Sequence, residues 1–219
     1  IYISIEIVSI MSFVLAGYLK KKARSNEAAL KYVVYGGFSS GIMLFGLSYI
    51  FGLTGSTNIF EIQQIVSQLD PESITALTLA ILMVLAGFGY KISAVPFHFW
   101  TPDVYEGAPL SITAYLSVAP KAAAFALMIR FFNQTFADGG AMKGLDSVSL
   151  TQLPWPEILS ILSVATMTLG NVVALQQKSI KRMLAYSSIA HAGYMLLAMP
   201  VMSGDSIYAI MMYLVMYLF

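Results

Sequence analysis

Long runs of apolar residues, separated by short polar stretches, constrain this chain more than any other feature of its sequence. The first run covers residues 1–19 and ends in three consecutive lysines. A helix needs about 20 apolar residues to cross the roughly 30 Å hydrocarbon core of a bilayer. Only 11% of the residues are charged, whereas soluble domains carry about 25%. The pattern predicts an all-α polytopic membrane protein.

The apolar runs divide the chain into about seven spans that we expect to form a single transmembrane domain, residues 1–219. The third run is preceded by Asp70, Pro71 and Glu72, an order typical of a helix start. The expected spans are 1–19, 28–53, 74–105 (interrupted), 110–132, 155–175, 183–201 and 206–219 (truncated). Because the chain lacks an initial methionine and ends inside an apolar run, we expect it to be a fragment of a longer protein.

The basic residues of the loops predict which loops share a side of the membrane. Counted alternately, one set of loops holds seven basic residues and the other set holds one, Lys143. The seven are Lys20, Lys21, Lys22, Arg24, Lys178, Lys181 and Arg182. Because cytoplasmic loops are enriched in lysine and arginine, we expect loops 20–27, 93–109 and 176–182 to be cytoplasmic.

The third apolar segment is too long for one straight helix across the bilayer. Residues 74–106 would form a helix of roughly 50 Å. Pro96 removes a backbone donor and clashes with the preceding turn, so we expect a broken transmembrane helix near Pro96. Transporters place ion sites at such breaks, where protein or a water-filled cavity satisfies the freed backbone groups. The alternative is a helix that ends near Ser93, followed by an interfacial loop whose aromatic residues form a belt.

Three ionisable residues, Glu6, Lys91 and Lys121, fall deep inside apolar spans. At ~1.5 Å per residue their depths are roughly 21, 22 and 18 Å from the basic side, if the broken segment continues as helix. Such a charge costs about 2.5–3.5 kcal/mol on insertion scales, so it usually has a function. Desolvation favours a neutral lysine, whereas a nearby carboxylate favours the charged form. We therefore expect Glu6 to act on Lys91, and Lys121 to be the next station of a proton relay.

Each deep charge also has a structural explanation. Lys91 would snorkel to an interface if its helix ended at Ser93, and Glu6 could lie at the end of a span. Lys121 follows Pro120 among small residues at mid-span, where snorkelling is difficult. The functional interpretation therefore depends on where each helix begins and ends.

Four further polar residues are candidates for a relay or a lateral link: Lys31, His98, His191 and Lys181. Lys31 lies one turn into its span, where snorkelling is the simpler explanation. The histidines titrate near neutral pH, so each is either a relay member or a packing residue. Lys181 is first of all a marker of the cytoplasmic side. The chain has no cysteine, and two isolated histidines do not indicate a metal site.

Residues 87–109 and 178–194 carry the most distinctive motifs. They read GFGYKISAVPFHFWTPDVYEGAP and KSIKRMLAYSSIAHAGY. These motifs resemble those of subunit N of bacterial NADH–quinone oxidoreductase, respiratory complex I, and the resemblance extends over essentially the whole chain. Sister pumping subunits and multisubunit sodium/proton antiporters share only a looser version of the first motif.

The resemblance implies an antiporter-like helix bundle that translocates protons, coupled to quinone reduction in partner subunits. Glu6, Lys91 and Lys121 match the glutamate and lysines of the family, and Lys31 matches a lysine that can form a lateral link. As a subunit of NADH:quinone oxidoreductase, the chain would carry no redox active site, cofactor or metal. NADH, FMN, iron–sulfur clusters and quinone would bind in partner subunits.

The implied partners are the other membrane subunits of complex I and the lipid bilayer, not nucleic acid. The implied location is the inner (plasma) membrane of the cell. Two other functions stay open at this point. The chain could belong to a multisubunit sodium/proton antiporter, or it could be a membrane scaffold whose charges serve only helix packing.

Overall fold

The computed structural model describes residues 2–136 and 153–218, and these ranges fold into α-helices and one 3₁₀ turn. The helices are α1 (Tyr2–Ala16), α2 (Ala23–Thr54), α3 (Ile59–Val66), α4 (Pro71–Ile92), α5 (Trp100–Gly107), α6 (Leu110–Thr135), α7 (Trp155–Leu175), α8 (Ile180–Leu196) and α9 (Gly204–Leu218). The 3₁₀ turn is Met199–Val201. The all-α fold predicted from the sequence is therefore confirmed.

Five helices of the described part are long and apolar enough to cross a membrane: α2, α4, α6, α7 and α8 with its 3₁₀ turn. Helices α1 and α9 are also apolar but have 15 residues each. Large apolar side chains such as Ile7, Phe38 and Leu175 are exposed on the outside of the bundle. Such a surface suits lipid rather than water, so the chain is a multi-pass membrane protein. The division into seven spans stays a prediction.

The turn between α1 and α2 is tighter than the sequence suggests. Helix α2 begins at Ala23, five residues before the expected start of its span. In its first turn the buried Ser25 donates a hydrogen bond to the Ala16 carbonyl at the end of α1 (2.8 Å). A Cβ on Gly17 would lie 2.9 Å from the Ala29 Cβ. The glycine therefore allows the two helices to approach closely at this turn.

A short helix, α3, lies in the polar stretch between the second and third expected spans. The Asn58 side chain caps it by accepting a hydrogen bond from the Phe60 N–H (3.1 Å). Ile62 and Val66, one turn apart, are its buried residues. The spacing of these apolar residues and the cap would have predicted the helix.

Helices α2 and α4 run antiparallel, and glycines at their contacts allow them to pack closely. A Cβ on Gly46 would lie 2.7 Å from the Ala80 carbonyl oxygen, and one on Gly87 would lie 2.5 Å from the Met43 sulfur. Small residues at such contacts are usual between membrane helices. The two contacts fix the register, which places Lys91 level with residues 39 and 40 of α2.

The third apolar segment is broken, as predicted. Helix α4 ends at Ile92, Ser93 adopts a left-handed conformation (φ 63°), and helix resumes only at Trp100. The segment thus does not continue as helix, and the depth estimate for Lys91 that assumed this is wrong. The helix thus ends next to Ser93, as the alternative supposed, but Lys91 is buried at 6% exposure and does not snorkel out of the bundle. The aromatic residues of the connection form no single exposed belt, since Trp100 is 2% exposed and Phe99 is 62% exposed.

Lys143, the one basic residue of the second set of loops, lies outside the described residues. Asp138 and Asp146 of the same loop also lie outside them. The structure therefore describes the basic set of loops and says nothing of this opposing loop.

Candidate functional site

Hydrogen bonds that involve side chains hold the non-helical segment around Pro96 in place. The Val95 N–H donates to Thr166 Oγ1 of α7 (3.0 Å), and the Trp100 indole donates to the Tyr90 carbonyl (3.0 Å). Thr101 Oγ1 donates to Ser93 Oγ (2.7 Å). Freed backbone groups inside a membrane protein need such partners. These hydrogen bonds therefore stabilise the break within the fold.

Lys91 lies in the last turn of α4, immediately before the break. The residue is only 6% exposed, and its Nζ has no hydrogen-bond partner among the described residues. Glu6 is the acidic group that acts electrostatically on it. The lysine also faces the negative end of the α4 dipole, which favours a cation there.

Glu6 of α1 is held at the same level as Lys91. Its Oε1 accepts a hydrogen bond from Ser40 Oγ (2.6 Å), and Ser40 lies near the middle of the 32-residue helix α2. The α2–α4 register also sets Lys91 opposite this part of α2. The structure thus brings Glu6 and Lys91 to one level, near the middle of the longest described helix.

Lys121 is the most deeply buried lysine of the described chain, with 1% exposure. Its Nζ donates to the Ser188 carbonyl (2.9 Å) and to Ser188 Oγ (2.6 Å), and the Tyr217 hydroxyl donates to the same Oγ (2.8 Å). Lys121 and Ser188 both lie near the middle of their helices, α6 and α8. Snorkelling is therefore not its explanation.

The proline before Lys121 leaves a carbonyl free, and a tyrosine of the broken segment pairs with it. Pro120 lies inside α6 and has no N–H to donate to the Leu116 carbonyl one turn earlier. The hydroxyl of the buried Tyr105 donates to that carbonyl instead (3.2 Å). Its ring also lies 6.0 Å from Lys121 Nζ. Helix α5 is thus attached to α6 at the turn that carries Lys121.

The two histidines have different surroundings. His191 Nδ1 lies 2.6 Å from the Tyr213 hydroxyl of α9, and the ring is close enough to Lys121 to interact with it electrostatically. His98 is buried in the break, and its Nδ1 has no hydrogen-bond partner among the described residues. His191 therefore belongs to the surroundings of Lys121, and His98 to those of the break.

An ion-pair network joins α2, α5 and α8 at the basic face, the end of the bundle that carries turn 17–22 and loop 176–179. Asp103 accepts hydrogen bonds from Lys31 Nζ (2.7 Å) and from an Arg182 guanidinium nitrogen (2.6 Å). Lys31 also pairs with Glu27 (2.7 Å), and Arg182 with Glu106 (3.2 Å). Burial raises the pKa of Asp103, but the hydrogen bonds and charges of Lys31 and Arg182 outweigh it, so the net shift is downward.

Lys181 and Lys31 lie at this basic face rather than beside the deep charges. Lys181 Nζ is 3.4 Å from the Glu106 carbonyl and 3.5 Å from the Ala108 carbonyl, at the C-terminal end of α5. Cations are favoured at that end of a helix. The three stretches expected to share one side of the membrane thus meet at one face of the protein.

The sequence predicted the deep charges but missed most of their partners. Ser40, Ser188, Thr166 and Asp103 each bind a predicted site residue or the broken segment. The sequence did not mark the two serines and the threonine as partners of the site, because single hydroxyl groups are common in membrane helices. The described residues contain no group of three or more side chains suited to hold a metal ion.

The whole chain, residues 1–219, matches the family model for "NADH:quinone oxidoreductase/Mrp antiporter, TM". The chain is 53% identical over 225 residues to NADH-quinone oxidoreductase subunit N 2 of Sorangium cellulosum (strain So ce56), covering 100% of this chain and 43% of the relative. It is 54% identical over 216 residues to the protein of that name in Chloroherpeton thalassium (strain ATCC 35110 / GB-78), covering 99% and 41%.

A solved structure of respiratory complex I from Thermus thermophilus with bound aureothin contains a similar chain. The TM-score is 0.75 at 33% identity, with 97% of this chain and 43% of that chain covered. The resemblance to subunit N is thereby confirmed, although the chain spans only about two fifths of the length of these relatives. The chain belongs to the NADH:quinone oxidoreductase/Mrp antiporter transmembrane family, as an antiporter-like, all-α membrane protein.

Proposed function

We propose that this chain is part of an N-type subunit of NADH–quinone oxidoreductase and moves protons through Glu6, Lys91 and Lys121. Quinone reduction in partner subunits would drive the transfer. NADH, FMN, iron–sulfur clusters and quinone would bind in those partners, and other membrane subunits would flank this chain. The protein would lie in the inner (plasma) membrane with loops 20–27, 93–109 and 176–182 on the cytoplasmic side. The names of the relatives support this assignment.

The observation that carries the proposal is the position of Lys91. A buried ammonium group without a hydrogen-bond partner is unstable unless an opposite charge is near. Glu6 supplies that charge, but Glu6 and Lys91 form no close ion pair in the described part of the structure. A small movement of α1 relative to α4 would therefore change the protonation of Lys91, which is what a proton carrier requires.

All hydrogen-bond partners of Lys121 among the described residues are neutral, which suits a second station of the proton relay. Its Nζ binds Ser188, and Ser188 is bonded to Tyr217, so a hydroxyl chain leads from Lys121 towards α9. A cavity of about 660 Å³ is lined by Ser188, His191 and Tyr217 and reaches Lys181 at the basic face. The cavity is mainly apolar, but its polar side chains Ser188, His191, Tyr217 and Lys181 would bind water along a proton route from that face to Ser188.

The proposal is tested by proton translocation in the complete complex reconstituted into vesicles. Glu6→Gln keeps the size of the side chain and its capacity to accept from Ser40, but removes the charge. We expect proton uptake driven by NADH to fall severalfold while the complex assembles normally. Glu157→Gln, an exposed glutamate in the first turn of α7, is the matched control and should leave uptake unchanged.

The same vesicles separate the two rival functions. Sodium-dependent exchange without NADH oxidation would favour the sodium/proton antiporter. Unchanged proton uptake in Glu6→Gln, Lys91→Met and Lys121→Met alike would favour a scaffold and would contradict the relay.

A further inference from the structure

An open cleft lies where α1 ends and α2 begins, on the basic face of the protein. Its volume is about 1000 Å³. One wall is apolar and contains Phe13, Val14 and Tyr18, of which Val14 and Tyr18 are strongly exposed. The rim is formed by Lys20, Lys21 and Lys22. An apolar wall with a basic rim complements a lipid that has an acyl chain and an anionic headgroup.

The three rim lysines carry charge that nothing in the described residues neutralises. No carboxylate lines the described cleft, and none of the three lysines forms an ion pair there. Elsewhere on the same face Lys31 and Arg182 form ion pairs, whereas Arg24 and Lys178 stand singly without one in the described structure. The cleft therefore brings three uncompensated lysines together at one place.

Hydrogen bonds hold the rim in a defined shape. The Lys22 N–H donates to the Leu19 carbonyl (2.9 Å), and the Asn26 side chain donates to the Lys20 carbonyl (3.0 Å). The buried Ser25 hydroxyl ties α2 to the last residue of α1 (2.8 Å). The lysines thus project from a closed turn rather than from a loose loop.

The rim lies at the level of lipid headgroups. Helix α1 ends at Ala16, ten residues or roughly 15 Å beyond Glu6, and Lys20 lies four residues further along the turn. If Glu6 lies near the middle of the roughly 30 Å hydrocarbon core, the turn lies at its edge. Val14 and Phe13, one to two turns deeper, then lie at the level of the acyl chains. The cleft therefore spans the boundary between headgroups and hydrocarbon.

We propose that this cleft is a binding site for one anionic phospholipid, with the phosphate group between Lys20, Lys21 and Lys22 and an acyl chain along Phe13 and Val14. Charge complementarity selects an anionic headgroup, and the apolar wall selects a lipid over an acidic peptide or free phosphate. Each basic residue near the membrane surface raises the affinity for anionic lipid about fivefold. The site does not depend on proton translocation.

The test uses the complete protein in its assembled complex, placed in lipid bilayers that contain a photoactivatable phosphatidylglycerol or phosphatidylcholine. After illumination, labelled peptides are identified by mass spectrometry. We expect phosphatidylglycerol to label residues 13–29, and the phosphatidylcholine probe to label them at least tenfold less. Excess glycerol phosphate should not displace the probe, because it has no acyl chain.

Variants show whether the lysines are responsible. The triple variant Lys20→Gln, Lys21→Gln and Lys22→Gln should lower labelling by phosphatidylglycerol on the order of 100-fold at limiting probe. The triple arginine variant, which keeps the charge, should retain the labelling. Lys178→Gln, an exposed lysine on the same face, is the matched control and should leave it unchanged.

Three results would overturn the proposal, and the first needs no variant. Equal labelling of residues 13–29 by the two lipids would show no preference for anionic lipid. Cross-linking of this segment to an acidic protein in place of lipid would identify another occupant. Undiminished labelling in the glutamine variant would exclude the lysines.

Discussion

The ion-pair network at the basic face gives a quantitative prediction for Asp103→Asn. The substitution keeps the shape of the side chain but removes the charge that binds Lys31 and Arg182. Hydrogen bonds to charged groups contribute about 1.5–3 kcal/mol when buried, and exposed ion pairs contribute about 0.2–1 kcal/mol. The side chains concerned are 32% and 38% exposed, an intermediate case. Because Asn still accepts a hydrogen bond, we expect a loss of about 1–2 kcal/mol.

Thermal unfolding of the detergent-purified protein, followed by intrinsic fluorescence at low salt, measures this loss. For a protein of this size about 1 kcal/mol lowers Tm by roughly 2–4 °C, so we expect a fall of several degrees. Asp205→Asn is the matched control, because Asp205 is exposed and forms no ion pair in the described structure. Equal Tm values for the two variants would refute the conclusion that Asp103 holds α5 to its neighbours.

The same carboxylate predicts a pH dependence. The pKa of Asp103 is lowered in the folded protein, because Lys31 and Arg182 outweigh the effect of burial. A lowered pKa contributes stability that is present above the unfolded pKa, ordinarily 3.8, and is lost as pH falls through the folded pKa. The difference in Tm between the native protein and Asp103→Asn should therefore be full at pH 6 and shrink below about pH 4. A difference that does not change with pH would contradict this assignment.

Three further substitutions test the surroundings of Lys121 and the helix packing. Tyr105→Phe leaves the Leu116 carbonyl without its donor, so we expect a loss of about 1–3 kcal/mol of stability and slower proton translocation with unchanged assembly. Ser188→Ala removes the hydroxyl nearest Lys121 Nζ, and proton translocation should fall while Tm changes by less than in Tyr105→Phe. Gly170→Leu adds a side chain where a Cβ would already lie 2.6 Å from a backbone nitrogen of α8, and assembly of the subunit should fall sharply. Normal values in all three variants would show that these contacts contribute little.

The sequence predicted the parts of this structure that depend on local pattern. Apolar length predicted the long helices, and α7 begins and ends where its span was expected. Pro96 predicted the break in the third segment, since a proline cannot continue the hydrogen bonding of a helix. Counting residues along helices predicted that Glu6, Lys91 and Lys121 lie deep in the membrane. These depths stay predictions, and the count for Lys91 assumed helix where the chain is not helical.

What the sequence could not predict depends on contacts between distant segments. Asp103 carried no basic neighbour in its own loop, and its partners Lys31 and Arg182 are 72 and 79 residues away. A proline inside a helix leaves one carbonyl without its donor, but the sequence does not show that Tyr105 would pair with that of Leu116. Such pairings are set by how the helices pack, and hydrophobic periodicity within one helix does not specify that arrangement.

The central claim is that protons pass through the buried lysines, and Lys91→Met tests it most directly. Methionine is similar in length and apolar, so it preserves packing in a position that is 6% exposed but removes the titrating group. The measurement is the number of protons taken up per NADH oxidised by the reconstituted complex, with the exposed Lys178→Met as control. The account predicts a severalfold lower ratio in Lys91→Met and an unchanged ratio in the control. An unchanged ratio in Lys91→Met, at normal assembly, would contradict it.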